Sequence, residues 1–430
     1  MTGPAGTGPA TAGSTTAALR TGALPASTPA AAGLATADPA ATAPSAQAGE
    51  DGAMSLTLAD ARVVTPDGVH DGWLTIEDGR ITHVGRGSAP GPGRSLGGRY
   101  VVPGFVDIHN HGGAGGSFPA GDPEQAVRIA ALHARHGTTT LMASLVTASP
   151  EHLARAASAL ADLCEDGLLA GIHFEGPYIS KARCGAHNPA LLREPSPGEL
   201  LGLLKAGRGH VRMLTIAAEL PGALDTIREA VANDVIAALG HSDADYGRTL
   251  AGIDAGARVA THLYNAMPPL GHRDPGPVAA LLQDERVTVE LVNDGVHVHP
   301  AMLRLACRAA GPGRTALVTD AMAAAGAGDG TYDLGPLKVE VVDGVARLAG
   351  GGSIAGSTLT MDAAFRRAVR ELGLSLPEAA EVTSLTPARV LGLDDRLGSV
   401  TAGKRADLVV LDGDLEVAGV MKHGSWITEP

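Results

Sequence analysis

Six residues of this chain have the side chains that hydrolytic metal chemistry uses, and they recur at one kind of place: His109, His111, Glu175, His241, His262 and Asp320. Residues 107–113 read DIHNHGG after the apolar run VVPGFV. Side chains at i and i+2 of a strand share a face, which puts Asp107, His109 and His111 in one row and lets two imidazoles converge on one ion. An isolated HxH is weak evidence, because histidines also occur at solvated strand ends. The weight comes from the other four, in HFEG, GHSD, THLYN and VTDAM, each of which closes an apolar run. Imidazole and carboxylate ligands arriving from separate strands are what an open catalytic zinc or iron site requires. Each position also has an ordinary reading. His241 could cap a following helix, His262 could be a hydrogen-bonded core histidine, Asp320 could be a helix N-cap and Glu175 could pair with an arginine. His173, two residues before Glu175 on the same face, lies one layer deeper and reads as packing and support.

Such a constellation needs strands to hold it. The segments GFVDIHN, TTTLMASLV, LLAGIHFEG, VRMLTIAAE, VIAALGHS, RVATHLYN, VTVELVNDG and TALVTDAM are eight candidate strands. Helical stretches separate them, such as PEQAVRIAALHARHG, with Pro near its start and Gly at its end, and AMLRLACRAAG. Near-continuous apolar strands alternating with helices predict a parallel sheet, and eight units predict an α/β fold built as a (β/α)8 TIM barrel over residues 104–397. In that barrel the six residues fall at the C-terminal strand ends, where the chemistry of the fold resides. A doubly wound open sheet is the structural alternative. Before and after the barrel, at 54–103 and 398–430, short strand-like pieces alternate with turns, predicting one small β-sandwich domain formed from both chain ends.

Composition removes several function classes. A formal net charge of -13 argues against a nucleic-acid surface or an anionic membrane, and an aromatic content of 3% removes most base-stacking platforms. No apolar run approaches the roughly 20 residues of a membrane helix, so the protein is expected to be soluble. Cys164, Cys184 and Cys307 are widely spaced with no CxxC, which reads as a reducing, cytoplasmic setting without a disulfide framework. Residues 1–53 are nearly all Ala, Gly, Pro, Thr and Ser, a composition expected to stay disordered, and Met54 reads as an alternative translation start.

The motifs HNHGG, HFEGPYIS, CGAHNP, GHSDA, THLYNAMPPLGHRDPG, NDGVHVHP, VTDAM and IAGSTLTM occur in this order between about residues 56 and 426. In this the chain resembles the N-acetylglucosamine-6-phosphate deacetylase family of the amidohydrolase superfamily. The resemblance implies removal of acetate from N-acetylglucosamine 6-phosphate, with Glu175, His241 and His262 holding the main metal and Asp320 as the catalytic carboxylate. It further implies that His109 and His111 hold a second ion, with Glu175 bridging, so that one or two zinc or iron ions bind per chain. His187 would contact the acetyl group and its developing oxyanion beside Ala186. Asn265, Ala266, Arg273, Asp294, His297, Ile354, Ala355 and Gly356 would contact sugar and phosphate, with Arg273 reaching the neighbouring active site of a homodimer. Relatives commonly read LSGS where this chain has IAGS. Cys184 stands three residues before His187 and reads as incidental. The galactosamine epimer is an alternative substrate, and another amidohydrolase reaction or a metal-free scaffold are more distant ones.

Overall fold

Short apolar runs bounded by glycine and polar residues become strands rather than helices, and here eight of them form one parallel sheet in sequential order. The structure is a computed structural model that describes Gly3 and residues 55–350 and 352–430, so the expectations for the N-terminal tail and for Met54 lie outside the described residues. The strands are β1 (Phe105–Asp107), β2 (Thr138–Val146), β3 (Gly171–Glu175), β4 (Val211–Ile216), β5 (Ile236–Leu239), β6 (Val259–Ala260), β7 (Thr288–Val292) and β8 (Thr315–Val318). In β2 all nine residues are buried, as expected for a strand with the barrel interior on one side and helices on the other. The helix after β1 starts at Pro123 and stops before Gly137, as anticipated. Asp122 caps Pro123–Arg135 by accepting from the Glu124 and Gln125 amides, and Ser149 caps Pro150–Glu165 through the His152 amide.

Sequential order excludes the doubly wound sheet, whose strand order reverses at a switch point. The ring closes between β8 and β1 just beyond the strands themselves. Asp320 N–H donates to the His109 carbonyl at 2.9 Å and His111 N–H to the Ala321 carbonyl at 2.8 Å. Lower in the seam the buried Asp107 side chain substitutes for a ladder bond. Its Oδ1 accepts from the Thr319 amide at 3.2 Å, and its Oδ2 accepts from the Thr319 hydroxyl at 2.6 Å and the Asn110 amide at 3.1 Å. Asp107 thus shares the HxH row but serves the barrel wall. Replacing it with Ala leaves the buried Thr319 amide without an acceptor, at about 1–3 kcal/mol, and removes the shorter bond of the Thr319 hydroxyl and one bond of the Asn110 side chain. Asp107→Ala is therefore expected to lower the urea midpoint clearly, and an unchanged midpoint would contradict this account of the seam.

The two chain ends meet in a second sheet. Ser55–Thr65, Gly68–Glu77, Arg80–Arg86 and Tyr100–Pro103 come from one end, and Leu408–Leu411, Val417–Lys422 and Ser425–Thr428 from the other. Leu408–Leu411 runs antiparallel to Tyr100–Pro103 and joins the halves. An Arg80–Arg405 bridge brings the far edge round, so the sheet curls over a core of Leu58, Leu74, Ile81, Val101, Leu408 and Met421. We propose 54–103 with 398–430 as one small domain beside the 104–397 barrel.

One element within the barrel span was not anticipated. Gly330–Leu334, Leu337–Val342 and Val345–Leu348 form β9, β10 and β11, an antiparallel meander after β8. Leu334, Val339, Val341 and Ala346 pack with Val146, Met322, Ala324 and Ala355, which seats the meander against the C-terminal rim of the barrel.

Candidate active site

The six residues named first in the sequence converge on one buried cluster. At its centre, Glu175 closes β3 with almost none of its surface exposed. Its Oε1 lies 3.1 Å from His241 Nε2, 3.0 Å from His262 Nε2 and 3.5 Å from His109 Nε2, while Oε2 lies 3.3 Å from His111 Nε2. Two donor sets share this carboxylate, His109–His111–Glu175 and Glu175–His241–His262, with the donor atoms of each set within 4.8 Å of one another. Asp320 stands beside the first set, with Oδ1 3.3 Å from His111 Nε2 and 3.7 Å from His109 Nε2. The backbone here is held in a demanding shape. His241, His262 and Asp320 have φ of 47°, 29° and 48°, in the left-handed region that non-glycine residues seldom occupy without strong support.

The outer nitrogens of the rings show that this donor set suits a cation. His111 Nδ1 donates to the Ser144 carbonyl at 3.1 Å and His241 Nδ1 to the Arg183 carbonyl at 2.8 Å. His109 Nδ1 lies 3.0 Å from the Glu290 carboxylate. A neutral ring that donates through Nδ1 presents a lone pair at Nε2. The inner nitrogens crowd together, His109 Nε2 3.1 Å from His111 Nε2 and His241 Nε2 3.0 Å from His262 Nε2, with a Glu175 oxygen within 3.5 Å of each. The residues therefore fit a divalent ion of the type bound by mixed imidazole and carboxylate sites.

Charge in the cluster points the same way. Burial works against the charged form of His111, but the Asp320 and Glu175 carboxylates outweigh it and push the ring up to about 9. Burial would raise Glu175 and Asp320, yet the surrounding histidines hold both well below the usual carboxylate range. His187 behaves differently, because burial pushes it down to about 4 and leaves it neutral near pH 7. Its tautomer is also set. The Thr147 amide donates to Nδ1 at 3.3 Å, with the Thr147 hydroxyl at 2.9 Å, so the proton is on Nε2, 3.3 Å from Glu175 Oε2. His173 is kept neutral by burial and by His109, and bridges Ser144 Oγ at 2.9 Å and Thr215 Oγ1 at 2.8 Å beneath the site.

A cavity of about 320 Å³ opens over the cluster. Ala186, His187, Asn265, Ala266, His297, Ile354 and Gly356 line it together with His111, Glu175, His241, His262 and Asp320. Three other residues named from the sequence stand elsewhere. Asp294 lies behind His297, accepting from its Nδ1 at 2.7 Å and so aiming Nε2 inward, 3.7 Å from Asp320. Ala355 is fully buried under the meander. Arg273 is exposed, with no ion-pair partner among the described residues.

Sequence reasoning missed Thr147, Glu290, the meander residue Leu334 and Ser353 after the meander, the last two of which line the cavity. Glu290 had a signal, a lone carboxylate inside the apolar run VTVELV. The meander had one too, in the alternation of TYDLGPLKVEVVDGVARL around an Asp-Gly turn.

The profile described as the Amidohydrolase family matches residues 100–427, most of the chain and the whole of this cluster. The chain belongs to the amidohydrolase family. Among its relatives in that family, an N-acetylgalactosamine-6-phosphate deacetylase of Escherichia coli O157:H7 is 39% identical over 376 residues, 86% of this chain and 99% of the relative. An N-acetylglucosamine-6-phosphate deacetylase of Bacillus subtilis (strain 168) is 35% identical over 391 residues, 87% of this chain and 97% of the relative. A solved structure of a variant N-acetyl-D-glucosamine-6-phosphate deacetylase of Mycobacterium smegmatis, in complex with N-acetyl-D-glucosamine 6-phosphate, is 51% identical. It superposes with a TM-score of 0.85, covering 87% of this amidohydrolase and 99% of the solved chain.

Proposed function

We propose that this chain hydrolyses the N-acetyl group of N-acetyl-D-glucosamine 6-phosphate to D-glucosamine 6-phosphate and acetate, a step of aminosugar catabolism and recycling. The observation that carries the reading is Asp320, a carboxylate in contact with the HxH pair at the floor of a cavity that both donor sets share. A bound divalent ion would supply Lewis acidity, lowering the pKa of a water and polarising the amide carbonyl. One or two ions, zinc or iron, suit the donors, with His109, His111, Glu175, His241 and His262 as ligands.

The chain's own groups manage the protons. Asp320 takes the proton of the attacking water as the new C–O bond forms and delivers it to the amine nitrogen as the C–N bond breaks. His187 donates a hydrogen bond from its Nε2–H to the oxyanion that develops on the acetyl oxygen and keeps its proton throughout, a role suited to the neutral ring and the tautomer held by Thr147. His297, aimed by Asp294, faces the sugar. The turn at Asn265 and Ala266, with Ile354 and Gly356, receives sugar and phosphate, and Ala355 between them anchors the stretch against the meander. Arg273, exposed and without an ion-pair partner among the described residues, is suited to reach the phosphate in the neighbouring subunit of a homodimer.

His187→Ala is expected to lower kcat by roughly 10²–10³-fold with a smaller change in KM, the pattern of a lost oxyanion donor. Equal losses in kcat/KM and KM with kcat intact would assign His187 to substrate binding instead. Among the described residues no helix is long and apolar enough to cross a membrane. The three free cysteines fit a reducing compartment, and we place the activity in the cytoplasm.

The galactosamine epimer is the second reading, favoured by the name of the Escherichia coli relative. The 51% identity to the Mycobacterium smegmatis structure favours the glucosamine form. Competition between the two epimers in one reaction, read as the ratio of kcat/KM values, tests the choice. A preference for the glucosamine compound is expected, and a preference for its epimer would move the assignment.

A further inference from the structure

Glu290 lies in the middle of β7 between Val289 and Leu291, with none of its surface exposed. A carboxylate so placed has left water entirely, and only its partners can offset that loss. Its Oε2 has two. It lies 3.0 Å from His109 Nδ1, on the side of that ring away from the site, and accepts the backbone N–H of His262 at 3.1 Å. Its Oε1 has no hydrogen-bond partner. The hydrogen bonding of Glu290 is therefore directed through one atom, and that atom touches a member of each donor set.

A leucine would occupy the same place in the barrel wall without the desolvation penalty, as its neighbours do. What a leucine cannot do is choose a tautomer. An oxygen that bears no hydrogen opposite Nδ1 makes Nδ1 the protonated nitrogen of His109 and leaves Nε2 as a lone pair facing His111. A carboxylate in this position also makes the ring a stronger donor to a cation. The second bond acts on the other donor set. His262, with φ of 29°, needs its backbone held from outside, and the Glu290 oxygen holds its N–H while Asn265 N–H donates to its carbonyl at 3.0 Å.

We propose that Glu290 is the positioning residue that makes the HxH pair competent to hold a divalent first-row ion, and that through the His262 amide it couples this half-site to the Glu175–His241–His262 half-site. The inference deepens the metal-dependent reading given above and rests on it.

The test is a zinc titration of the full-length protein, stripped with a chelator, against a chromophoric competitor. Bound ions are counted per chain, and thermal unfolding is recorded on the same samples. Wild-type protein, Glu290→Gln and Glu290→Leu are compared. In Glu290→Gln an amide oxygen can still accept from His109 and His262, but the carboxylate charge is gone. The HxH half-site is expected to weaken by about 10–100-fold, the usual range for such a partner, while the other half-site keeps its wild-type affinity. Glu290→Leu is expected to lose the HxH ion and also to weaken the other half-site, because His262 loses its support. Wild-type affinity at both half-sites of Glu290→Gln would overturn the proposal, and so would equal weakening of both, which a general structural role gives. If Glu290→Leu does not fold, Glu290→Gln decides alone. The assay contains no substrate, so a wrong substrate assignment would show separately, as ion binding without acetate release.

Discussion

Asp320→Asn is expected to reduce turnover by roughly 10²–10⁴-fold, the usual contribution of a positioned acid–base group, while the protein folds and keeps its ions. The substitution is nearly isosteric. Asparagine tolerates the left-handed backbone that Asp320 adopts at φ of 48°, and the bond from the residue 320 amide to the His109 carbonyl does not depend on the side chain. The side-chain oxygen of asparagine can keep the place of Oδ1, 3.3 Å from His111 Nε2. It cannot take a proton from water and return it to the departing amine. The loss should therefore fall on kcat with KM little changed, and metal analysis should match that of the wild type. A variant that retained near-wild-type kcat would show that another group moves the proton.

Removal of metal is expected to abolish turnover, and to do so reversibly. Five of the six converging residues offer donors that could hold a cation, with imidazole nitrogens paired at 3.0 Å and 3.1 Å around the Glu175 carboxylate. The Lewis acidity of an ion contributes several kcal/mol to hydrolysis of an unactivated amide, so its loss should cost roughly 10³-fold or more. Chelator-treated protein should regain activity on addition of zinc, iron(II), manganese or cobalt, since availability rather than raw affinity selects among such ions. Its Tm should also fall, because an ion that binds only the folded chain stabilises it by about 2.7 kcal/mol at a hundredfold excess over Kd. Full activity in protein shown by elemental analysis to be metal-free would contradict the reading.

The parts of the site that were legible in the sequence are those recorded locally. An apolar run marks a strand, its end marks the rim of the barrel, and a histidine or carboxylate at that end is thereby placed. His109, His111, Glu175, His241, His262 and Asp320 are all placed in this way by the sequence alone. The seam was not legible, because the Asp107–Thr319 bonds join residues at opposite ends of the barrel sequence. Glu290 escaped for a related reason. Its meaning depends on facing His109 and the His262 amide, and neither is near it in the chain. The meander was legible in principle, yet its alternation lay inside a span already accounted for as barrel. The resemblance supplied the substrate contacts as a set, and geometry divides them: His297 faces the cavity while Asp294 aims it, and Ala355 packs beneath the meander while Ile354 and Gly356 line the cavity.

The most direct measurement is acetate and free amine released from N-acetyl-D-glucosamine 6-phosphate by purified protein of known metal content, with unphosphorylated N-acetylglucosamine in parallel. Equimolar acetate and amine from the phosphorylated sugar, with little from the unphosphorylated one, is the expected result. No release from either by protein with its ions bound would contradict the proposed reaction and leave an amidohydrolase whose amide substrate lies elsewhere.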